Sequence, residues 1–162
     1  EMSSINPCSK PFSSNFLPIF SDIFFCTKLS VGAMIETPIS AIESGFYARN
    51  ADFISYGLND LTMALFAMER VGSEELINDY KEKEIITRSP FESVMYEGMK
   101  NFIMNSINMA KQANEEILIG ICSEQVRDFE SLSFFSALPI DYLSTTGQSI
   151  PKLKYDLARI MK

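Results

Sequence analysis

Three short apolar runs end in side chains that can do chemistry. Residues 31–35 run into Glu36, residues 53–56 into Gly57-Leu58-Asn59-Asp60, and residues 117–121 into Cys122-Ser123-Glu124. In parallel α/β folds, ligands sit at the carboxyl ends of the strands. Two carboxylates on neighbouring strand ends, Glu36 and Asp60, suit a hard cation. Mg²⁺ takes one or two protein carboxylates and completes its shell with substrate oxygens and water. Asn59 and Asp60 lead into a helical pattern, whose free N–H groups can face an anion. Each residue also has a plainer role. Glu36 fits a surface loop, Asn59 or Asp60 a helix cap, and Cys122 a buried, inert thiol. Repetition at equivalent places in successive units favours the chemical reading.

The elements that must hold these residues follow from hydrophobic periodicity. After each apolar run comes a helix-period segment, over residues 39–50, 61–70 and about 128–137. A fourth unit pairs residues 140–143 with a polar Ser144–Gly147 stretch and a helix over 149–161, with Ser149 as cap and Ile150, Leu153, Leu157 and Ile160 on one face. Strands alternating with helices predict βα units and a parallel sheet. A long helical insert separates the second and third units. Within it, Ser89-Pro90-Phe91-Glu92 reads as a capping box with Pro at the first helical position. Phe91, Val94, Met95, Met99, Phe102, Ile103 and Ala110 then recur at helical spacing, as core packing requires. The charged run 74–84 reads as a solvated face.

Composition bounds the chemistry. The 162 residues suit one domain. A net charge of −7 argues against nucleic acid as a partner. There is no histidine, which excludes a Ser-His or Cys-His pair, a His-ligated zinc site and a phosphohistidine within the chain. Acid–base work falls to Asp, Glu, Lys, Tyr or Cys. Cys8, Cys26 and Cys122 do not make a disulfide framework, so a reducing, cytoplasmic setting is expected. The apolar stretch 12–26 is interrupted by Asp22 and is too short to span a membrane. It also lacks the basic flank and cleavage site of a signal peptide. Residues 1–30, rich in Ser and Pro, are expected to form an irregular leader, with the domain proper over 31–162.

The strand-end segments carry a family resemblance. Gly32-Ala-Met-Ile-Glu36-Thr-Pro38 resembles the G-x-M-I-E-x-P strand of the phosphoenolpyruvate-utilising enzymes. Gly57-Leu-Asn-Asp-Leu-Thr62 resembles their G-T-N-D-L-T motif, and Gly120-Ile-Cys-Ser-Glu124 their G-I-C-G-E segment. The family includes pyruvate phosphate dikinase, phosphoenolpyruvate synthase and enzyme I of the sugar phosphotransferase system. Tyr80 to Ile86 with Ser89 to Glu92, Asp128 to Phe135, and Ile140 to Ser144 with Ile150-Pro151 are most similar to the dikinase branch. The resemblance runs in unbroken order over about residues 30–162. It implies a (β/α)8 barrel of TIM type, of which this chain holds the last four units. It implies Glu36 and Asp60 as Mg²⁺ ligands, Asn59 on the phosphoryl group, and Arg70 on phosphoenolpyruvate. Gly57 and Leu58 would belong to the substrate site. Cys122 would be the proton donor to the methylene carbon of enolpyruvate, with Glu124 tuning or orienting the thiol. A phosphohistidine domain elsewhere in a parent protein would exchange the phosphoryl group, and a barrel-mediated homodimer is implied.

The chain departs from the pattern on its active face. Leu58 replaces Thr, Met63 replaces Gln, and Ser123 replaces the Gly beside Cys122. A Ser there is costly if the turn needs positive φ. Gln125-Val126-Arg127 stands where the dikinase reads His-Gly-Gly. Four units leave two open strand edges. A fragment, a half that needs a partner, and a degenerate, non-catalytic relative are all consistent with these features.

Overall fold

The computed structural model describes residues 29–161, so residues 1–28 of the expected leader, with Cys8 and Cys26, lie outside the described residues. Four strands, β1 (Gly32–Ile35), β2 (Phe53–Gly57), β3 (Leu118–Cys122) and β4 (Tyr142–Ser144), form one all-parallel sheet in chain order. The α/β class and the four βα units are as the periodicity predicts. The described sheet is open, with β1 and β4 at its edges.

Alternation along the strands divides the sheet into two faces. Ile35, Ile54, Tyr56, Ile119 and Ile121 are fully buried or nearly so and point to the helical layer. That layer comprises α1 (Pro38–Ile42), α2 (Ser44–Asn50), α3 (Leu58–Phe66), α5 (Glu97–Ala113), α6 (Phe129–Ser136) and α7 (Ile150–Ile160), with the short α4 (Glu74–Glu82) between α3 and α5. Ala41, Ala48, Leu61, Ile103, Leu132 and Phe135 are among the residues that pack against them in the core. A polar bolt crosses it. The Tyr56 hydroxyl meets Ser106 Oγ at 2.8 Å, and Ser106 Oγ donates to the Ala41 carbonyl at 2.7 Å. Burial pushes the Tyr56 phenol up to about 12, against the opposing pull of hydrogen bonds from Ser106 and Ser44. The other face of the sheet carries Met34, Leu118, Cys122 and Tyr142, all exposed.

Several boundaries differ from the sequence reading, each for a local reason. The helix expected over 39–50 is two helices broken at Glu43. Thr37 caps the first through a capping box with Ser40, and Ser44 turns its hydroxyl to the Ser106 carbonyl at 2.7 Å. Helix α3 begins at Leu58 and ends at Phe66, with Ala67 as its C-cap at left-handed φ 51°, ψ 40°. Arg70 therefore lies in a connection, not on the helix. The capping box at Ser89 does not start a helix, since α5 begins only at Glu97. Residues 89–96 instead hold an irregular turn, because Ser93 Oγ donates to Asp128 (2.9 Å) and the Val94 N–H donates to Ser131 Oγ (3.0 Å). Met95 and Ile150, expected on apolar faces, are exposed, and Ser149 precedes α7 without a side-chain cap bond. Strand β4 starts at Tyr142 instead of Ile140.

Candidate functional site at the carboxyl ends of the strands

Register carries three of the predicted residues to one edge. Gly57 pairs with Cys122, and Cys122 with Ser144. Ile35 pairs with Tyr56, so Glu36 follows level with Gly57. Side chains at this level leave the sheet on the open face. Gly57 is a glycine for a reason of space. A β-carbon there would stand 2.7 Å from Glu36 Cγ and 2.8 Å from its Oε1. The Glu36 side chain thus lies directly across the end of β2. Gly120 follows the same logic one row back, where the Tyr142 ring occupies the place a β-carbon would need.

Asn59 and Asp60 sit within the first turn of α3, immediately beyond Gly57, and not ahead of the helix as the periodicity suggested. Neither caps it; the cap position is Gly57, with no side-chain bond. Asp60 is exposed and Asn59 half-buried. Leu58 is fully buried in the core, so only its backbone N–H remains to offer a ligand. Cys122 is exposed, which removes the buried, inert reading of this thiol. Among the described residues, neither Glu36 nor Asp60 enters an ion pair. No group of three or more acidic or thiol side chains gathers among them either. Glu36 and Asp60 are carboxylates of the kind Mg²⁺ takes beside substrate oxygens and water.

The loops bring together a pair that sequence spacing does not reveal. Arg70 and Glu124, 54 positions apart, form an ion pair at 2.7 Å, and each side chain is about 40% exposed. Ser123, feared as a strained replacement for glycine, is not among the described residues with positive φ. Its N–H continues the ladder to the Ser144 carbonyl at 3.2 Å. Its hydroxyl, with the buried Gln125, forms a network reaching Thr62 and the Pro90 carbonyl. In the sequence Gln125 stands out only as part of the departure from His-Gly-Gly. Nothing in the local pattern marks a lone Gln as buried.

Residues 21–162 match the family described as PEP-utilising enzyme, PEP-binding domain. The chain belongs to the PEP-utilising enzymes. Its relatives include pyruvate, phosphate dikinase of Rhizobium meliloti, 32% identical over 121 residues that cover 75% of this chain and 14% of that protein. The enzyme of that name from Rickettsia bellii is 32% identical over 124 residues, covering 76% of this chain and 14% of the relative. The chloroplastic pyruvate, phosphate dikinase of Flaveria trinervia is 28% identical over 143 residues, 88% of this chain and 15% of the relative. The chain thus spans about one-seventh of the length of these relatives. The match to the dikinase branch agrees with the segments that suggested it. No helix among the described residues is long and apolar enough to cross a membrane.

Proposed function

We propose that this PEP-utilising domain binds phosphoenolpyruvate or pyruvate with Mg²⁺ at the carboxyl ends of its strands, as the terminal part of a pyruvate phosphate dikinase-like phosphotransferase. The overall reaction would convert ATP, pyruvate and phosphate to AMP, phosphoenolpyruvate and diphosphate. The observation that carries the reading is the shared edge of Glu36, Gly57 and Cys122, with Asn59 and Asp60 two and three residues beyond Gly57 in the first turn of α3. Glu36 and Asp60 would hold Mg²⁺, which supplies Lewis-acid stabilisation of negative charge on the substrate oxygens. Asn59 and the first-turn N–H groups of α3, including that of Leu58, would hold the phosphoryl group. Arg70 would neutralise the anionic substrate.

In the direction of pyruvate formation, the P–O bond of phosphoenolpyruvate breaks and the phosphoryl group passes to a histidine nitrogen on another domain. The chain itself has no His, so that acceptor lies elsewhere. Cys122 then gives its proton to the methylene carbon of enolpyruvate and is left as thiolate. Its exposure on the open face suits that role. Glu124 stands two residues away, paired with Arg70. The exposed second face of the sheet and its two edges support a further reading of the architecture, as half of an eight-stranded TIM-type barrel. Eight strands enclose an interior just wide enough for side chains to fill. The cytoplasm or a plastid suits the reading, and assembly through the barrel would give a dimer.

Calorimetric titration with phosphoenolpyruvate, with and without Mg²⁺, tests the site. Metal-dependent binding that is lost in Glu36→Ala and in Asp60→Ala is expected. Binding unaltered in both variants refutes the assignment.

A further inference from the structure

Gln125 is fully buried, and every polar atom of its side chain is engaged. Its Nε2 donates to Thr62 Oγ1 at 3.1 Å and to the Pro90 carbonyl at 2.6 Å. Its Oε1 accepts from Ser123 Oγ at 2.9 Å, and Ser123 Oγ accepts in turn from the Gln125 N–H at 2.9 Å. Thr62 is one turn along α3 from Asn59 and Asp60, and is itself fully buried. Ser123, only 2% exposed, adjoins Cys122. One amide therefore joins three segments: the helix bearing Asn59 and Asp60, the turn bearing Cys122 and Glu124, and the irregular stretch around Pro90. A buried amide with all its partners in place is rigid, because releasing any one of them leaves an unsatisfied polar group.

We propose that Gln125 is a positioning residue, which with Ser123 fixes the Cys122–Glu124 turn onto α3 and so holds Glu124 against Arg70. Cys122 is the last residue of β3, held between Gly57 and Ser144, and Glu124 follows two residues on, so a turn that leaves Arg70 still keeps its carboxylate close to the thiol along the chain. Arg70 belongs to a different connection, beyond the left-handed residue Ala67. Without the amide clamp the turn moves off Arg70 and takes its carboxylate along. The thiol then sits beside an uncompensated negative charge. The significance for proton delivery rests on the reading of Cys122 given above, but the contact itself is testable without any ligand.

The test compares the alkylation rates of Cys122 by neutral iodoacetamide and anionic iodoacetate, read on the tryptic peptide 112–127 by mass spectrometry. The ratio of the two rates cancels the thiolate fraction and any loss of overall stability, and reports local charge. Gln125→Met keeps the volume and removes the amide. Its expected effect is a fall of about two- to threefold in the iodoacetate-to-iodoacetamide ratio, the size of one elementary charge roughly 6–10 Å away in water. Arg70→Ala should lower the ratio in the same direction. Adding Glu124→Gln to Gln125→Met should restore it. Ser123→Ala removes the hydroxyl bridge alone and serves if the methionine variant fails to fold; a smaller fall is expected. A ratio unchanged from wild type in folded Gln125→Met, or in Ser123→Ala, overturns the proposal. Failure of phosphoenolpyruvate binding would instead count against the site assignment and leave this measurement unaffected.

Discussion

Gly57→Ala separates what a residue does for the fold from what it does for the site. The backbone there, at φ −85° and ψ 83°, is open to alanine, so conformational strain is not the issue. The obstacle is Glu36, whose Cγ, Oε1 and Cδ lie 2.7, 2.8 and 3.2 Å from the added carbon. The carboxylate must swing away, and an off-rotamer side chain costs roughly 0.5–1.5 kcal/mol. Alanine also restricts the unfolded chain, which stabilises by about 0.4–1 kcal/mol. The two nearly cancel, so the single variant should unfold in urea close to wild type. In a Glu36→Ala background the clash is gone and only the gain remains. The coupling between the two positions is then about 0.5–1.5 kcal/mol, from the same rotamer cost. Urea unfolding of the four proteins, followed by far-ultraviolet circular dichroism, measures it as a double-mutant cycle. If Gly57→Ala has the same effect in both backgrounds, Glu36 does not lie across Gly57, and the shared-edge argument falls with it.

Two further perturbations probe the frame behind the site. Burial raises the pKa of Asp128, but hydrogen bonds from Ser131 and Ser93 and the nearby Arg88 outweigh it, so the carboxyl lies below its ordinary 3.8. Asp128→Ala also removes the cap of α6 and should cost about 1–3 kcal/mol at neutral pH. Because the folded pKa is depressed, the part of that contribution linked to ionisation is present above about pH 4 and is lost as pH falls through the folded value, so the gap between wild type and variant should narrow there in thermal melts. For Tyr56 the sign reverses. Its folded pKa is raised from 10.0 to about 12, so wild type loses stability as pH climbs through that window. Tyr56→Phe should give up about 0.5–1.5 kcal/mol at pH 7 with the Ser106 hydrogen bond, yet resist alkali better in the same window; a variant equally sensitive between pH 10 and 12 would contradict the assignment.

Strand–helix alternation was legible in residues 31–161 because each strand buries one face and each helix one stripe, and those periods are local. The motif residues Glu36, Asn59, Asp60 and Cys122 could be named from spacing and resemblance because strand ends are where parallel sheets display side chains. Boundaries were less legible. The Ser89 capping box is a sound local signal, but Asp128 and Ser131, 35 and 37 residues from the Ser93 and Val94 they bind, claim the same stretch for a turn. The break at Glu43 answers to Ser106 on α5 in the same way. Only the tertiary structure joined Arg70 to Glu124, laid Glu36 across Gly57, and turned Ser123 and Gln125 from apparent losses into one satisfied network. Sequence determines what each segment prefers by itself. Register, burial and polar satisfaction depend on partners that only the folded chain brings within a few ångströms.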